Sequence, residues 1–194
     1  MPRRNDIYHS ILIVSAAEQF DRFIRKSFPV NSTVETARSA AVARRSILER
    51  YYDIVVINAP LPDENGENFA IDVTGICTAS VLIVTPLDRF EGVLGRVTDH
   101  GIMVMPKPSP GGRIDKSVRF LLAVQNRIHK LEKKVQTLEE KMEEIRTVSK
   151  AKVLLVERRH MTEDEAHRYI GKQAMDQGIS RKSAAERIME EENL

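Results

Sequence analysis

Between about residues 119 and 148 apolar side chains recur at alternating intervals of three and four: Leu121, Val124, Ile128, Leu131, Val135, Leu138, Met142 and Ile145. Four heptads with apolar a and d positions throughout predict a coiled coil, in which helices bury their seams against each other. The flanking charges choose its direction. In a parallel pair, Arg127 faces Glu132 and Lys134 faces Glu139 across the seam, whereas antiparallel pairing tends to set Lys against Lys and Glu against Glu. Lys141 against Arg146 is a mismatch in the parallel arrangement. Each exposed pair contributes only ~0.2–1 kcal/mol, so the seam supplies affinity and the charges supply orientation. A parallel coiled-coil homodimer is therefore expected; the other arrangement open to such a stripe is packing against a sheet of the same chain.

The chain on either side of this run is organised differently. From residue 10 to about 118, short Val- and Ile-rich runs ("SILIV" 10–14, "STVETA" 32–37, "DIVVIN" 53–58, "SVLIVT" 80–85, "GIMVMPK" 101–107) alternate with segments of helical spacing such as "SAAVARRSILERY" (39–51). This pattern predicts an α/β fold, a doubly wound five-stranded parallel sheet. In such sheets a ligand site lies outside the carboxyl ends of the strands, which directs attention to Ser15, Ala16, Asn58, Thr85 and Lys107. After the long helix, Thr162 with Glu165 reads as a capping box, Gly178 as a C′ stop and Ser180 as a further cap, predicting a small all-α three-helix domain. The expected domains are 1–118, 119–149 for the coiled-coil helix, and 150–194.

Composition sets limits. With 42% hydrophobic residues in 194, there is material for one compact domain plus something extended or small. A formal net charge of +2 points by itself to neither nucleic acid nor membrane, so such a claim must rest on local clusters. Cys77 is the single cysteine, which excludes an internal disulfide, fits a reducing compartment and reads as apolar filling. No stretch approaches ~18 consecutive apolar residues, and "MPRRNDIYHS" lacks a signal-peptide apolar core, so a cytoplasmic location is expected.

Residues 8–120 resemble a response-regulator receiver: Asn58 stands with Pro62 and Gly66 at the spacing of the phospho-acceptor loop, Thr85 ends the fourth strand and Lys107-Pro108 follows the fifth. The resemblance places the family's acceptor aspartate on Asn58 and its acidic pair on Ser15 and Ala16. All three carboxylates are missing. An acyl phosphate needs a carboxylate oxygen as nucleophile, and Mg²⁺ needs hard anionic ligands, so the domain reads as a pseudo-receiver unable to accept aspartyl phosphate. Glu18, Asp63 and Glu64 could only form a displaced metal site; as acids at a helix start and in a loop they read instead as caps, turn formers or solvated charges. Lys107 is expected to pair with loop groups or solvent. Neither a metal nor another cofactor is expected, and with no acid, base and nucleophile clustered at the sheet edge the chain does not read as an enzyme.

Residues 150–192 resemble the ANTAR domain, a three-helix RNA-binding module of transcription antiterminators. The resemblance rests on "EAHRYIGKQAMD" and "KSAAERIM", with Ala166, Ala174-Met175, Ala185 and Ile188 at the family's spaced positions. The order receiver, coiled coil, ANTAR is also the family's. His167 departs from the pattern, where an aromatic residue is common. The resemblance implies a dimer that grips paired stem-loops in a nascent transcript and so prevents a terminator from forming. Candidate RNA contacts are Arg158, Arg159, Ala166, Arg168, Tyr169, Lys172, Gln173, Arg181 and Lys182. Nine Lys/Arg and nine Asp/Glu between 150 and 194 leave the segment neutral, so only a sorted face could bind phosphate. Small side chains at Ala166, Ala174, Ala184 and Ala185 permit close approach, with helix packing expected to account for about two of the four. Control would fall on dimerisation, either constitutive or set by a regulatory protein or small ligand at the pseudo-receiver. The alternative is a dimeric protein-interaction adaptor that binds no RNA; a DNA-binding regulator is weaker, because no helix carries a dense basic series for reading bases.

Overall fold

The computed structural model describes residues 8–192, and the chain divides into two compact units, Met1–His129 and Lys130–Leu194. In the first, β1 (Ser10–Val14), β2 (Thr33–Ala37), β3 (Ile54–Asn58), β4 (Ser80–Pro86) and β5 (Met103–Lys107) form one parallel sheet in the order β2-β1-β3-β4-β5. Helices α1 (Glu18–Arg25), α2 (Ala40–Glu49), α3 (Glu67–Ile76) and α4 (Phe90–Val97) connect the strands, and α5 begins at Gly111. The expected α/β architecture is present.

The strands are apolar without interruption because both faces are covered. Leu12, Val14, Val55, Ile57, Val81 and Ile83 point into one core with Phe69 and Val73 of α3 and Val93 of α4. Their neighbours Ile11, Ile13, Ile54, Val56, Leu82 and Val84 point into the other, with Ile24 of α1 and Ile114, Val118 and Leu121 of α5. A period of two thus assigns alternate residues to opposite layers. Gly66 opens α3 at φ +88°, and a Cβ there would stand 3.1 Å from Ile57 Cγ2, so a side chain would be strained in its backbone and tight against β3. The two edge strands are five residues each; β5 carries Pro106, and on β2 the Glu35 carboxylate accepts from Tyr52 and pairs with Arg50.

Helix α5 runs unbroken for 49 residues, Gly111–Arg159. Its first turns settle the role of one residue counted into the coiled-coil seam: Leu121 is buried in the sheet's second core and is not available to a partner. Val124 and Ile128 are half-buried, whereas Leu131, Val135, Leu138, Met142 and Ile145 are exposed. One apolar stripe therefore covers the sheet first and then continues onto open helix surface.

In the second unit, Ala151 and Leu155 of α5 pack with α6 (Glu163–Gln177) and α7 (Arg181–Glu192) around Ala166, Ile170, Ala174, Ala184, Ala185 and Ile188. The capping box at Thr162 and Glu165 is formed in both directions, Gly178 ends α6 at φ 62°, and Ser180 Oγ accepts from Ser183 N at 3.0 Å.

At the amino end of β3, buried Asp53 accepts from Ser10 N at 2.7 Å, with His129 Nε2 2.8 Å from Oδ1 and His9 Nδ1 3.6 Å from Oδ2. Tyr51 Oη lies 3.2 Å from the same His129 nitrogen. Burial pushes the His9 imidazole below the usual histidine range; Asp53 opposes this and His129 adds to it. A histidine held neutral in the fold but protonated in the unfolded chain costs stability as pH falls below about 6.5, while above it the contribution is constant. Thermal unfolding followed from neutral to mildly acidic pH is expected to show a smaller loss of Tm in His9→Gln than in the parent; equal slopes would show that His9 does not titrate in this way.

Candidate functional site

Two places answer to the sequence's candidates. At the carboxyl edge of the sheet, Asn58 closes β3 with a buried carboxamide whose Nδ2 donates to Ser15 Oγ at 3.1 Å and whose Oδ1 accepts from Lys107 Nζ at 2.7 Å. Ser15 Oγ also accepts from Ala17 N at 3.0 Å, Thr85 is buried at the end of β4, and Ala16 is exposed. The expectation that Lys107 turns to loop groups or solvent is corrected: its partner is Asn58 itself. The amide offers both a donor and an acceptor, so one side chain joins the strand ends that bracket it. Burial lowers the Lys107 pKa, and the oxygen facing its ammonium belongs to a neutral group.

The neighbouring acids are committed to structure. Asp63 accepts from Ala40 N at 3.0 Å and Ala41 N at 2.9 Å, capping α2, and the bonds from Ala41 and Ala40 hold its carboxyl below the usual range. Glu64 pairs with Arg44 at 2.9 Å and accepts from Phe69 N at 3.0 Å, while Arg44 also reaches Asp72 at 2.7 Å. Glu18 is exposed in the first turn of α1. Among the described residues no three His, Cys, Asp or Glu side chains are grouped to hold a metal ion. Arg38, which no short motif singles out, donates to the Ser15 carbonyl at 3.0 Å and pairs with buried Asp21, fixing the loop after β1.

The second place is the surface where α5 ends and α6 begins. A concavity of about 520 Å³ is lined by Arg159, Arg168, Tyr169 and Lys172, with His160 and Glu165 also on its wall. The guanidinium of Arg159 lies 5.2 Å from the Tyr169 ring centre, donates to its hydroxyl at 2.9 Å and pairs with Glu192. Arg158 donates to the Glu192 carbonyl. These two arginines therefore tie α7 to the end of α5, a use that no local spacing signals. Arg168 and Lys172 are both exposed, one turn apart on α6, Arg168 with a bond to the Asp164 carbonyl at 3.3 Å. Gln173 is half-buried and bonded to Gln177 at 2.9 Å. Lys182 lies 4.0 Å from Glu186, and Arg181 borders a different hollow with His167. Ala166 is fully buried in the helix core, so its placement among RNA contacts is corrected; packing claims all four alanines, whose small side chains let the end of α5, α6 and α7 approach closely.

A buried parallel sheet without carboxylates at Ser15, Ala16 and Asn58 is thus followed by a long helix and a small helical core. Residues 136–189 match the ANTAR domain model. The chain is 27% identical over 139 residues to the Transcriptional regulatory protein PdtaR of Mycobacterium tuberculosis, covering 71% of this chain and 67% of that protein. Among solved structures, the signal receiver domain of an HD domain-containing protein from Pseudomonas fluorescens Pf-5 aligns with a TM-score of 0.57 at 21% identity, over 63% of this chain and 92% of that one. A CheY-like response regulator receiver domain protein from Methanospirillum hungatei JF-1 aligns at 0.56 and 17% identity, over 62% and 98%. The chain is thus similar to ANTAR-domain response regulators, with a receiver-like fold ahead of the segment that matches the ANTAR domain. No helix among the described residues is long and apolar enough to cross a membrane.

Proposed function

We propose that this regulator is a cytoplasmic, homodimeric RNA-binding transcription antiterminator, a binding protein without enzymatic activity. The observation that carries the reading is the basic and aromatic concavity of Arg168, Tyr169 and Lys172 inside the segment matched by the ANTAR domain. Cations one turn apart suit successive phosphates, and a tyrosine whose ring is braced by Arg159 offers a face to an unstacked base. Two such surfaces, one per protomer, would hold two adjacent stem-loops of a nascent transcript and disfavour the competing terminator. Their union through the exposed stripe at 131–145 raises the effective concentration of the second contact once the first is made.

The receiver-like domain would not use aspartyl phosphate, since Asn58 lacks the nucleophilic oxygen and Ser15 and Ala16 supply no anion for Mg²⁺. Its role would be to set dimer geometry or to receive a regulatory protein or small ligand.

The test is binding to a labelled RNA with two adjacent stem-loops, beside single-stem RNA and duplex DNA. Arg168→Ala/Lys172→Ala is expected to weaken binding and to flatten its dependence on log salt by roughly 0.7–0.9 for each phosphate no longer neutralised. Absence of binding to every stem-loop pair by an intact dimer would sink the RNA reading and favour the adaptor.

A further inference from the structure

The exposed apolar stripe does not stop where the heptads do. Beyond Ile145 the same face of α5 carries Ser149, Val153 and Val156, with Val153 and Val156 exposed at 56% and 38%. Ala151 and Leu155, on the opposite side of the helix, are fully buried in the three-helix core. The module therefore has an inward face that is satisfied and an outward apolar face that is not.

From Ile145 to Val156 the intervals are four, four and three, eleven residues in all. Eleven residues over three turns give about 3.67 per turn, so a seam with this spacing continues with its supercoil locally unwound. We propose that the dimer seam runs on into the ANTAR module, where Ser149, Val153 and Val156 of one protomer are covered by the same residues of a second copy of this chain. The inference rests on the parallel-dimer reading and extends it.

The occupant is identified by charge as well as by period. Lys152 immediately precedes Val153 and Glu157 immediately follows Val156, the relation that Lys134 and Glu139 bear to Val135 and Leu138. In a parallel pair, Glu157 of each protomer thus lies beside Lys152 of the other, whose ammonium also pairs with Glu163 of its own protomer at 2.5 Å, so opposite charges flank the seam on both sides. Beside the stripe lies a concavity of about 400 Å³ with Val153, Val156 and Met161 as its apolar wall and Lys152 and Glu157 on its margin. A partner side chain can enter it as a knob. The consequence is that the two RNA-binding surfaces are held at one separation by packed side chains, not by a loose tether.

Full-length protein carrying Cys77→Ser and one new cysteine at a time tests this under mild oxidation. Same-residue cross-links require Cα atoms closer than about 7 Å, which a parallel seam supplies and an antiparallel one does not at these positions. Val156→Cys and Leu131→Cys are both expected to form a disulfide-linked dimer about tenfold more readily than Met175→Cys, whose site is 82% exposed on α6. Cross-linking at 131 with position 156 no better than 175 would overturn the extension and leave the coiled coil standing. Failure at 131 and 156 alike would overturn the parallel dimer and this inference with it.

Discussion

Leu138→Lys combined with Met142→Lys is expected to give a folded monomer whose affinity for two-stem RNA falls by about 10²–10⁴-fold, while its affinity for a single stem-loop stays near that of the parent. Both side chains are exposed in the protomer, at 60% and 55%, so the unfolding temperature of a protomer should hardly move. In the proposed dimer they would lie on the seam, where full burial of a Leu or Met contributes ~1.5–3 kcal/mol per side chain. The double variant removes four such contributions per dimer and sets lysines against each other at two successive levels. Sedimentation gives the oligomeric state, and titration with one- and two-stem RNA separates avidity from intrinsic affinity. A monomeric variant that still binds two-stem RNA as tightly as the parent would show that the two surfaces do not act together.

Acetyl phosphate with Mg²⁺ is expected to leave the protein at background labelling, and Asn58→Asp alone is expected to do the same. In the native site the carboxamide joins Ser15 and Lys107 at 3.1 and 2.7 Å and has no nucleophilic oxygen. An aspartate there would pair with the Lys107 ammonium, yet the incoming phosphoryl group would still find no Mg²⁺, because a serine hydroxyl and an alanine methyl replace the two anionic ligands. The Ser15→Asp/Ala16→Asp/Asn58→Asp variant supplies the nucleophile and both ligands, and labelling approaching one phosphate per chain is expected. Acid-stable or acid-labile phosphate on the parent at position 58, or full labelling of Asn58→Asp alone, would show that another group does the work assigned to those carboxylates.

Parts of this molecule can be read from local pattern because local physics decides them. The run Ser10–Val14 is a strand as expected, and Ile54–Asn58 lies inside its expected span, since a short apolar run buried on both faces has few other solutions. The start of α6 follows from the Thr162 and Glu165 side chains and its end from the left-handed backbone of Gly178, all within three residues of its termini. Leu121 shows where such reading stops. Periods of 3.5 and 3.6 scarcely differ over two turns, so a stripe announces a covered helix face without saying whether sheet or partner covers it. The site residues depend still more on contacts distant in sequence. Lys107 meets Asn58 across 49 residues, and Arg158 and Arg159 are drawn to Glu192, a partner that spacing alone does not name. Val153 and Val156 were accessible in principle through the four-four-three interval, which a strict heptad count passes over.

The two borders of the sheet bear on solubility. An open sheet invites any extended chain to add at its margin, the usual route to fibrous aggregates. Here Pro106 withholds a backbone donor from the β5 border, and Glu35, held by Tyr52 and Arg50, places a charged cluster on the β2 border. Strand addition is discouraged on both sides. If the exposed helical stripe serves self-recognition, as proposed, the blunted sheet borders leave that stripe as the adhesive surface through which copies of the chain would meet.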